Sequence, residues 1–165
     1  MILFLSKTFL INTLLMQKTL LLLVFLSFFA ACSKKFTAET LPSQRLQFGT
    51  GGGFTGQQNA YLLLENGQIF KQKDLDGKKF EALGKIPMSL AKTVYKQCKT
   101  YEKVKLNRPS DLYHFITLKN DSTNLKWQWG ENLTVKDSTV NSLFKLHKTL
   151  FDAIPVVSEK LKTKN

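Results

Sequence analysis

The stretch AYLLLENGQIFKQ, residues 60–72, decides the fold of this chain. Residues 60–65 and 68–72 are rich in apolar and aromatic side chains, and Asn66-Gly67 separates the two runs. An Asn-Gly dipeptide favours positive φ at both turn positions and is the strongest short-range signal for a β-hairpin. The stretch therefore predicts two antiparallel strands joined by a tight turn.

The segments on either side of this hairpin predict a first strand and a first helix. Residues 45–48 alternate between polar and apolar side chains, which is typical of a strand. Residues 73–85 are charged and rich in turn formers, so no strand is predicted there. Pro87 favours the start of a helix, and apolar residues follow it at three- and four-residue spacing. A helix is therefore predicted over residues 87–102, with Cys98 on its apolar side.

The second half of the chain predicts two more strands and a second helix. Residues 112–118 are rich in aromatic and β-branched side chains, and residues 125–129 alternate. Asp137 or Ser138 can cap a final helix, which Pro155 is expected to end. The order β-β-β-α-β-β-α predicts an α+β fold, with an antiparallel sheet of about five strands and two helices on one face.

The N-terminal part predicts export and attachment of lipid. The apolar run over residues 19–31 is shorter than the roughly 20 residues that span a bilayer, but it suits the middle of a secretory signal. The sequence FAAC at 29–32 resembles a bacterial lipobox, whose cysteine is diacylated and becomes the mature N-terminus. The resemblance implies a signal peptide over residues 1–31, with Met16 as an alternative start, and a palmitate-type lipid anchor on Cys32.

This resemblance also implies the location and the boundaries of the mature protein. Residues 32–44 are polar and without periodicity, which predicts a flexible lipid-anchored tether. The predicted domain then covers residues 45–155, and residues 156–165 are predicted to form a frayed tail. The sequence after Cys32 has no acidic sorting residue, so we expect a membrane lipoprotein of the cell envelope that faces the periplasm, in either the inner or the outer membrane.

The composition restricts the function classes. The formal net charge is +12, and the basic residues are spread along the chain. Such a distribution predicts a solvated lysine-rich surface, or attraction to anionic lipid or polymer. No basic-aromatic motif supports nucleic-acid binding. If Cys32 carries lipid, Cys98 has no partner for a disulfide.

A glycine-rich stretch over residues 49–56 is the first candidate site. Gly51, Gly53 and Gly56 satisfy G-x-G-x-x-G, but a strand rather than a helix follows, which argues against a dinucleotide site. The glycines then either form a bulged corner between strands or an exposed loop that enters the cleft of a protein partner. The candidate partner-binding residues are Gly51, Gly52, Gly53, Phe54, Thr55 and Gly56.

Two short segments resemble a known inhibitor family. The sequence GGFTG at 52–56 is similar to the SGGFxG start of emfourin-type inhibitors of thermolysin-like metallopeptidases, and Pro109, Asp111 and Tyr113 resemble the second segment of that family. The resemblance covers about residues 47–154, and the chain departs from the family by its lipid anchor and by an inserted stretch at 74–84. It implies a peptidase inhibitor.

The remaining candidate residues are the two histidines and the two tryptophans. His147 lies on the apolar stripe of the second helix and is predicted to be a hydrogen-bonded core residue, and His114 has no ligand partner at metal-binding spacing. Trp127 and Trp129 are either core residues or a stacking platform for an envelope glycan or small ligand. No catalytic motif is present, and no metal or cofactor is predicted. The sequence thus predicts a non-catalytic envelope lipoprotein that binds an envelope protein, with the Trp127/Trp129 ligand module as the alternative.

Overall fold

Seven strands and two helices follow one another in the described part of the chain. The structure is a computed structural model that describes residues 35–54, 56–74 and 76–162, with only the backbone of 155–162. Cys32, Thr55, the predicted signal peptide and residues 163–165 lie outside this description. The elements are β1 (Arg45–Gly52), β2 (Gln58–Leu63), β3 (Gln68–Gln72), β4 (Phe80–Lys85), α1 (Met88–Thr100), β5 (Asn107–Arg108), β6 (Leu112–Lys119), β7 (Asn124–Gly130) and α2 (Ser138–Lys162).

The strands form one open sheet in the order β4-β3-β2-β1-β6-β7-β5. All neighbours are antiparallel except β5, which runs parallel to β7. The α+β class, the mainly antiparallel pairing and the two helices are confirmed, but the prediction of about five strands is wrong. β5 is only two residues long and shows no readable alternation, and β4 lies in the charged stretch that was predicted to be a turn.

β4 lacks the apolar and polar alternation that predicts a strand because it is an edge strand. It pairs with β3 alone, and the register shifts between Ile69 and Phe70, as at a β-bulge. Its Glu81 forms an ion pair with Lys73, and both side chains are half exposed. Charged side chains and bulges are common on edge strands because they prevent further pairing, so the charge that indicates a turn in the sequence here marks an edge.

The predicted hairpin at Asn66-Gly67 is confirmed, with a different turn. Gly67 has φ +88°, whereas Asn66 has a negative φ. The Gly67 N–H donates to Leu64 O at 2.8 Å, and the Leu64 N–H donates to Gln68 O at 2.9 Å. This pattern is a three-residue loop with glycine in the left-handed position, rather than the two-residue turn with positive φ at both positions.

One face of the sheet and both helices bury their side chains in the same hydrophobic cluster. Phe48 and Tyr61 are stacked with ring centroids 5.7 Å apart, and Phe151 of α2 meets Tyr61 edge to face at 5.6 Å. Fully burying a large apolar side chain contributes about 1.5–3 kcal/mol, so this cluster is the main source of stability. Its members on α1 are Ala91, Val94, Tyr95 and Cys98.

Both helices follow their predicted starts, and one differs at its end. Cys98 is fully buried, and burial raises the pKa of its thiol to about 12. The Asp137 carboxylate caps α2 by accepting hydrogen bonds from Thr139 N–H and Val140 N–H. α2 continues past Pro155 to Lys162, so the prediction that Pro155 ends the helix is wrong. A proline removes one helical hydrogen bond, but a helix can accommodate it as a kink. No helix of the described residues is apolar over the length that a bilayer crossing needs.

Residues 36–41 pack on the opposite face of the sheet, although the sequence predicts a tether for 32–44. Phe36 and Leu41 contact a second, smaller hydrophobic cluster. The members of that cluster on the sheet are Leu62, Leu64 and Phe70. These two apolar side chains are isolated in a polar segment without periodicity, so the sequence did not predict that they would be buried. We call residues 36–41 the strap.

Replacing Gly67 by alanine tests the hairpin. A Cβ at Gly67 would lie 2.2 Å from Ile86 O, and the φ of +88° is unfavourable for any other residue. We expect G67A to lower the free energy of unfolding by about 2–5 kcal/mol, the sum of backbone strain and overpacking.

Gly56 is the matched control, because it also has positive φ but no atom within 4 Å of an added Cβ. We expect G56A to lose only about 1–2 kcal/mol from the left-handed conformation. Urea denaturation of both variants measures the difference, and equal losses would contradict the close approach of Ile86.

Candidate functional site

The glycine-rich stretch is divided between a strand and a loop. Gly49, Gly51 and Gly52 belong to β1, so of the two alternatives the exposed loop can apply only to the residues after Gly52. A Cβ at Gly49 would lie 2.2 Å from Asn59 O, and one at Gly51 would lie 2.7 Å from the ring of Tyr113. Because these glycines have no side chain, β2 and β6 can lie close to β1 along this part of the strand.

The loop itself is fixed to the start of β6. Gly52 has φ +104°, and a Cβ there would lie 1.8 Å from Asp111 O. The Gly53 N–H donates to the same carbonyl oxygen at 2.7 Å, and the Gly56 N–H donates to Gly53 O at 3.1 Å. The two segments that carry the family resemblance are thus in direct backbone contact. Thr55, the remaining candidate of this loop, lies outside the described residues.

An exposed apolar patch lies on this loop and beside it. Phe54 is fully exposed, and Leu112 is 51 % exposed. A Cβ at Gly53 would lie 3.7 Å from Leu112 Cδ2, so the leucine side chain lies against the loop. Only one other large hydrophobic residue, Leu90, is exposed among the described residues. We call Gly53, Phe54, Gly56 and Leu112 the loop patch.

Leu112 was missed from the sequence because it has the same strand parity as the buried residues of β6. Ile116 and Leu118 follow it at two-residue spacing and are both buried. Leu112 is the first residue of β6, and the buried residues of this strand come after it. Leu112 could have been recognised from its position, because it directly follows Asp111 in the second segment of the family resemblance.

A polar cleft of about 560 Å³ adjoins the loop patch. The Gln58 side-chain amide donates to the Tyr113 hydroxyl at 3.0 Å across this region. Lys71 and Glu131 give it one charge of each sign. Its lining residues are Thr50, Gly51, Gly52, Gln57, Gln58, Asn59, Lys71, Gln72, Leu112, Tyr113, His114 and Glu131.

The two histidines lie behind the loop, at the junction of α2 and the sheet. His147 is buried, and its Nε2–H donates to Gly49 O at 2.9 Å, which confirms the hydrogen-bonded core histidine. Burial lowers its pKa to about 4. The ring of His114 lies 4.9 Å from that of His147, and burial lowers its pKa against the opposing effect of Glu131. His114 Nδ1 is buried without a hydrogen-bond partner among the described residues.

Neither histidine belongs to a cluster of potential metal ligands in the described ranges. His147 is held by a backbone carbonyl, and aromatic rings surround it, including Trp129 at 5.3 Å and Phe151 at 5.4 Å. This environment favours the neutral ring. The pair therefore positions α2 against β1, directly behind the glycine segment.

Trp127 and Trp129 lie in the core rather than on a surface. They are 1 % and 4 % exposed. The Trp127 indole N–H donates to Val104 O at 3.0 Å, and Trp129 stacks on Phe144 with a centroid distance of 4.9 Å. Of the two alternatives that the sequence left open for this pair, the structure supports the core.

No protein-family model matches the chain, and no curated protein matches it significantly.

The buried imidazole of His147 predicts acid sensitivity. Because its pKa is about 4 in the folded protein and about 6.5 when unfolded, the unfolded chain binds the extra proton between these values. We expect the free energy of unfolding to fall by up to about 3 kcal/mol as the pH drops from 6.5 to 4.

Denaturation curves of the wild type and of His147→Phe over this pH range measure the effect. The phenylalanine variant cannot bind the proton, so its stability should change less with pH, while the carboxylates titrate equally in both proteins. Identical pH slopes would contradict the assignment.

Proposed function

We propose that this protein is a non-catalytic lipoprotein of the cell envelope that binds a protein partner through the loop patch. The observation that carries the proposal is the fully exposed Phe54 beside the half-exposed Leu112, in a loop joined by backbone hydrogen bonds to the start of β6. Neighbouring exposed hydrophobic side chains are typical of interaction sites, and aromatic anchors are enriched at binding hot spots.

Backbone hydrogen bonds hold the described residues of the loop on both sides of Phe54. The Gly52 N–H donates to Gln57 O at 3.2 Å, and Gly53 and Gly56 are joined by the turn described above. A preorganised loop loses less conformational entropy on binding than a flexible one. The exposed glycine backbone at 53 and 56 also leaves room for a partner to approach the loop closely.

We further propose that the partner is a thermolysin-like metallopeptidase, which this protein inhibits. The support is the resemblance of residues 52–56 and of the segment with Pro109, Asp111 and Tyr113 to emfourin-type inhibitors. The contact of Gly53 N–H with Asp111 O favours a single binding surface made of both segments. The Trp127/Trp129 alternative has no exposed indole to stack on a glycan.

Truncation of the loop patch tests this function. We expect Phe54→Ala to raise the inhibition constant against a purified thermolysin-like metallopeptidase by about 30-fold or more, equivalent to the 2 kcal/mol that defines a hot spot. Leu112→Ala should have a smaller effect in the same direction.

Leu90→Ala is the matched control, because Leu90 is the remaining exposed large hydrophobic residue and lies on α1. It should leave inhibition unchanged, and all three variants should keep the melting temperature of the wild type. Wild-type protein that fails to inhibit the peptidase refutes the partner class. Equal effects of Phe54→Ala and Leu90→Ala refute the surface.

The membrane anchor is tested separately at Cys32. We expect the expressed chain to incorporate labelled palmitate and to fractionate with membranes, because two or more acyl chains hold a protein stably on a bilayer. Cys32→Ala should lose both properties. Wild-type protein that takes up no label, together with a Cys32→Ala variant that remains equally membrane-bound, would contradict lipid attachment.

A further inference from the structure

We propose that the end of the sheet opposite the glycine loop is a bilayer-facing surface, and that the strap of residues 36–41 holds it there. The inference rests on the lipid attachment of Cys32 under the proposed function. It assigns the domain an orientation on the membrane and identifies the layer of lipid headgroups as the partner of this surface.

A buried side chain binds the strap to the hairpin turn. The Phe36 N–H donates to Gln68 Oε1 at 2.8 Å, and Gln68 Nε2 donates to Phe36 O at 2.9 Å. Gln68 is 8 % exposed, and its amide is oriented by Asn66 Nδ2, which donates to Gln68 Oε1 at 2.6 Å. A buried amide that lost these partners would be left unsatisfied, which is unfavourable, so the strap is fixed at this point.

Apolar contacts reinforce this attachment. Phe36 and Leu41 pack on the second hydrophobic cluster, whose members Leu62, Leu64 and Phe70 are each at most 1 % exposed. Without the strap, this face of β2 and β3 would expose apolar area to water. The strap is therefore part of the folded domain and does not lengthen the linker to the membrane.

The sequence leaves little chain between the lipid and the strap. Phe36 follows Cys32 by four residues, which span at most about 14 Å when fully extended. A tether that ran to residue 44 would span about 40 Å. The bound Phe36 therefore keeps Gln68 and the hairpin turn close to the headgroups.

The loop patch lies at the other end of the same strands. β2 runs from Gln58, beside the glycine loop, to Leu63, beside the hairpin turn. At about 3.3 Å per residue the two ends of the hairpin are roughly 20 Å apart. The short linker thus directs Phe54 and Leu112 away from the bilayer, where a soluble partner can reach them.

The charge at the bilayer-facing end suits anionic lipid. Arg45 of β1 lies directly opposite Lys119 of β6, a like-charge pair that is unfavourable in isolation. Lys35 precedes the strap, and Lys85 of β4 lies opposite Gln68. The acidic residues near this end are Glu39 of the strap, Glu65 and Asp121, so the basic residues outnumber them by four to three. Each basic residue close to an anionic surface adds to the attraction.

Energy transfer to the membrane tests the orientation. The full lipidated chain is placed in vesicles of phosphatidylcholine and phosphatidylglycerol that contain acceptor-labelled headgroups, with a donor on Asp121→Cys or on Phe54→Cys. We expect the donor at position 121 to transfer more efficiently, with a distance of closest approach that is shorter by about 20 Å.

Two variants separate the strap from the anchor. The double substitution Phe36→Ser, Gln68→Ala should release the strap and remove most of the difference between the donors. A ten-residue Gly-Ser insertion after Lys34 should do the same while it leaves the strap contacts intact. Gln128→Ala, a half-buried glutamine of β7, is the control and should preserve the difference.

Equal transfer from both donors in the unmodified chain, or greater transfer from position 54, would overturn the orientation, as would mass spectrometry that finds no lipid on Cys32. A protein that keeps the orientation but fails to inhibit the peptidase would refute only the proposed partner class. The two outcomes are therefore distinguishable.

Discussion

Close backbone contact at two glycines holds β1 in the middle of the sheet. The missing side chains at Gly49 and Gly52 admit the carbonyl oxygens of Asn59 and Asp111, which a Cβ would meet at 2.2 and 1.8 Å. β2 and β6 both take their register from β1, and together they connect the remaining strands. Glycine in a strand costs about 0.5–1 kcal/mol relative to alanine, and the two hydrogen-bonded ladders offset that cost.

These glycines also join two features that the sequence presented as alternatives, a structural corner and a binding loop. Gly49 and Gly52 have the structural role, since each faces a backbone carbonyl oxygen that excludes a side chain, and Gly51 faces the ring of Tyr113. Gly53 and Gly56 belong to the loop and have open space or a single distant neighbour beside them. The strand glycines bring the loop to Asp111, and the loop glycines then present Phe54 on a defined backbone.

The parts of the fold that could be predicted depend on local chemistry. Asn66-Gly67 gave the hairpin and the spacing of Val94 and Cys98 gave α1, because turn preference and helical periodicity act within a few residues. β4 and the second half of β1 could not be predicted, since charged residues and glycines are disfavoured in strands until a neighbouring strand supplies hydrogen bonds.

The candidate site shows the same limit. Phe54 was found because glycines flank it, whereas the exposure of Leu112 depends on where the helices stop covering β6. The docking of Phe36 depends on the amide of Gln68, thirty-two positions away in the chain, and no local pattern can indicate such a contact.

The loop and the strap pack against different hydrophobic clusters, which lie on opposite faces of the sheet. The loop is supported by the large cluster, through His147 on Gly49 O and the aromatic side chains around it. The strap is supported by Leu62, Leu64 and Phe70 on the opposite face. Successive residues of β2 belong alternately to the two clusters. One strand therefore joins the clusters, although their side-chain contacts are distinct. The side-chain contacts that hold the strap are therefore separate from those that support the loop, so a substitution in one need not disturb the packing of the other.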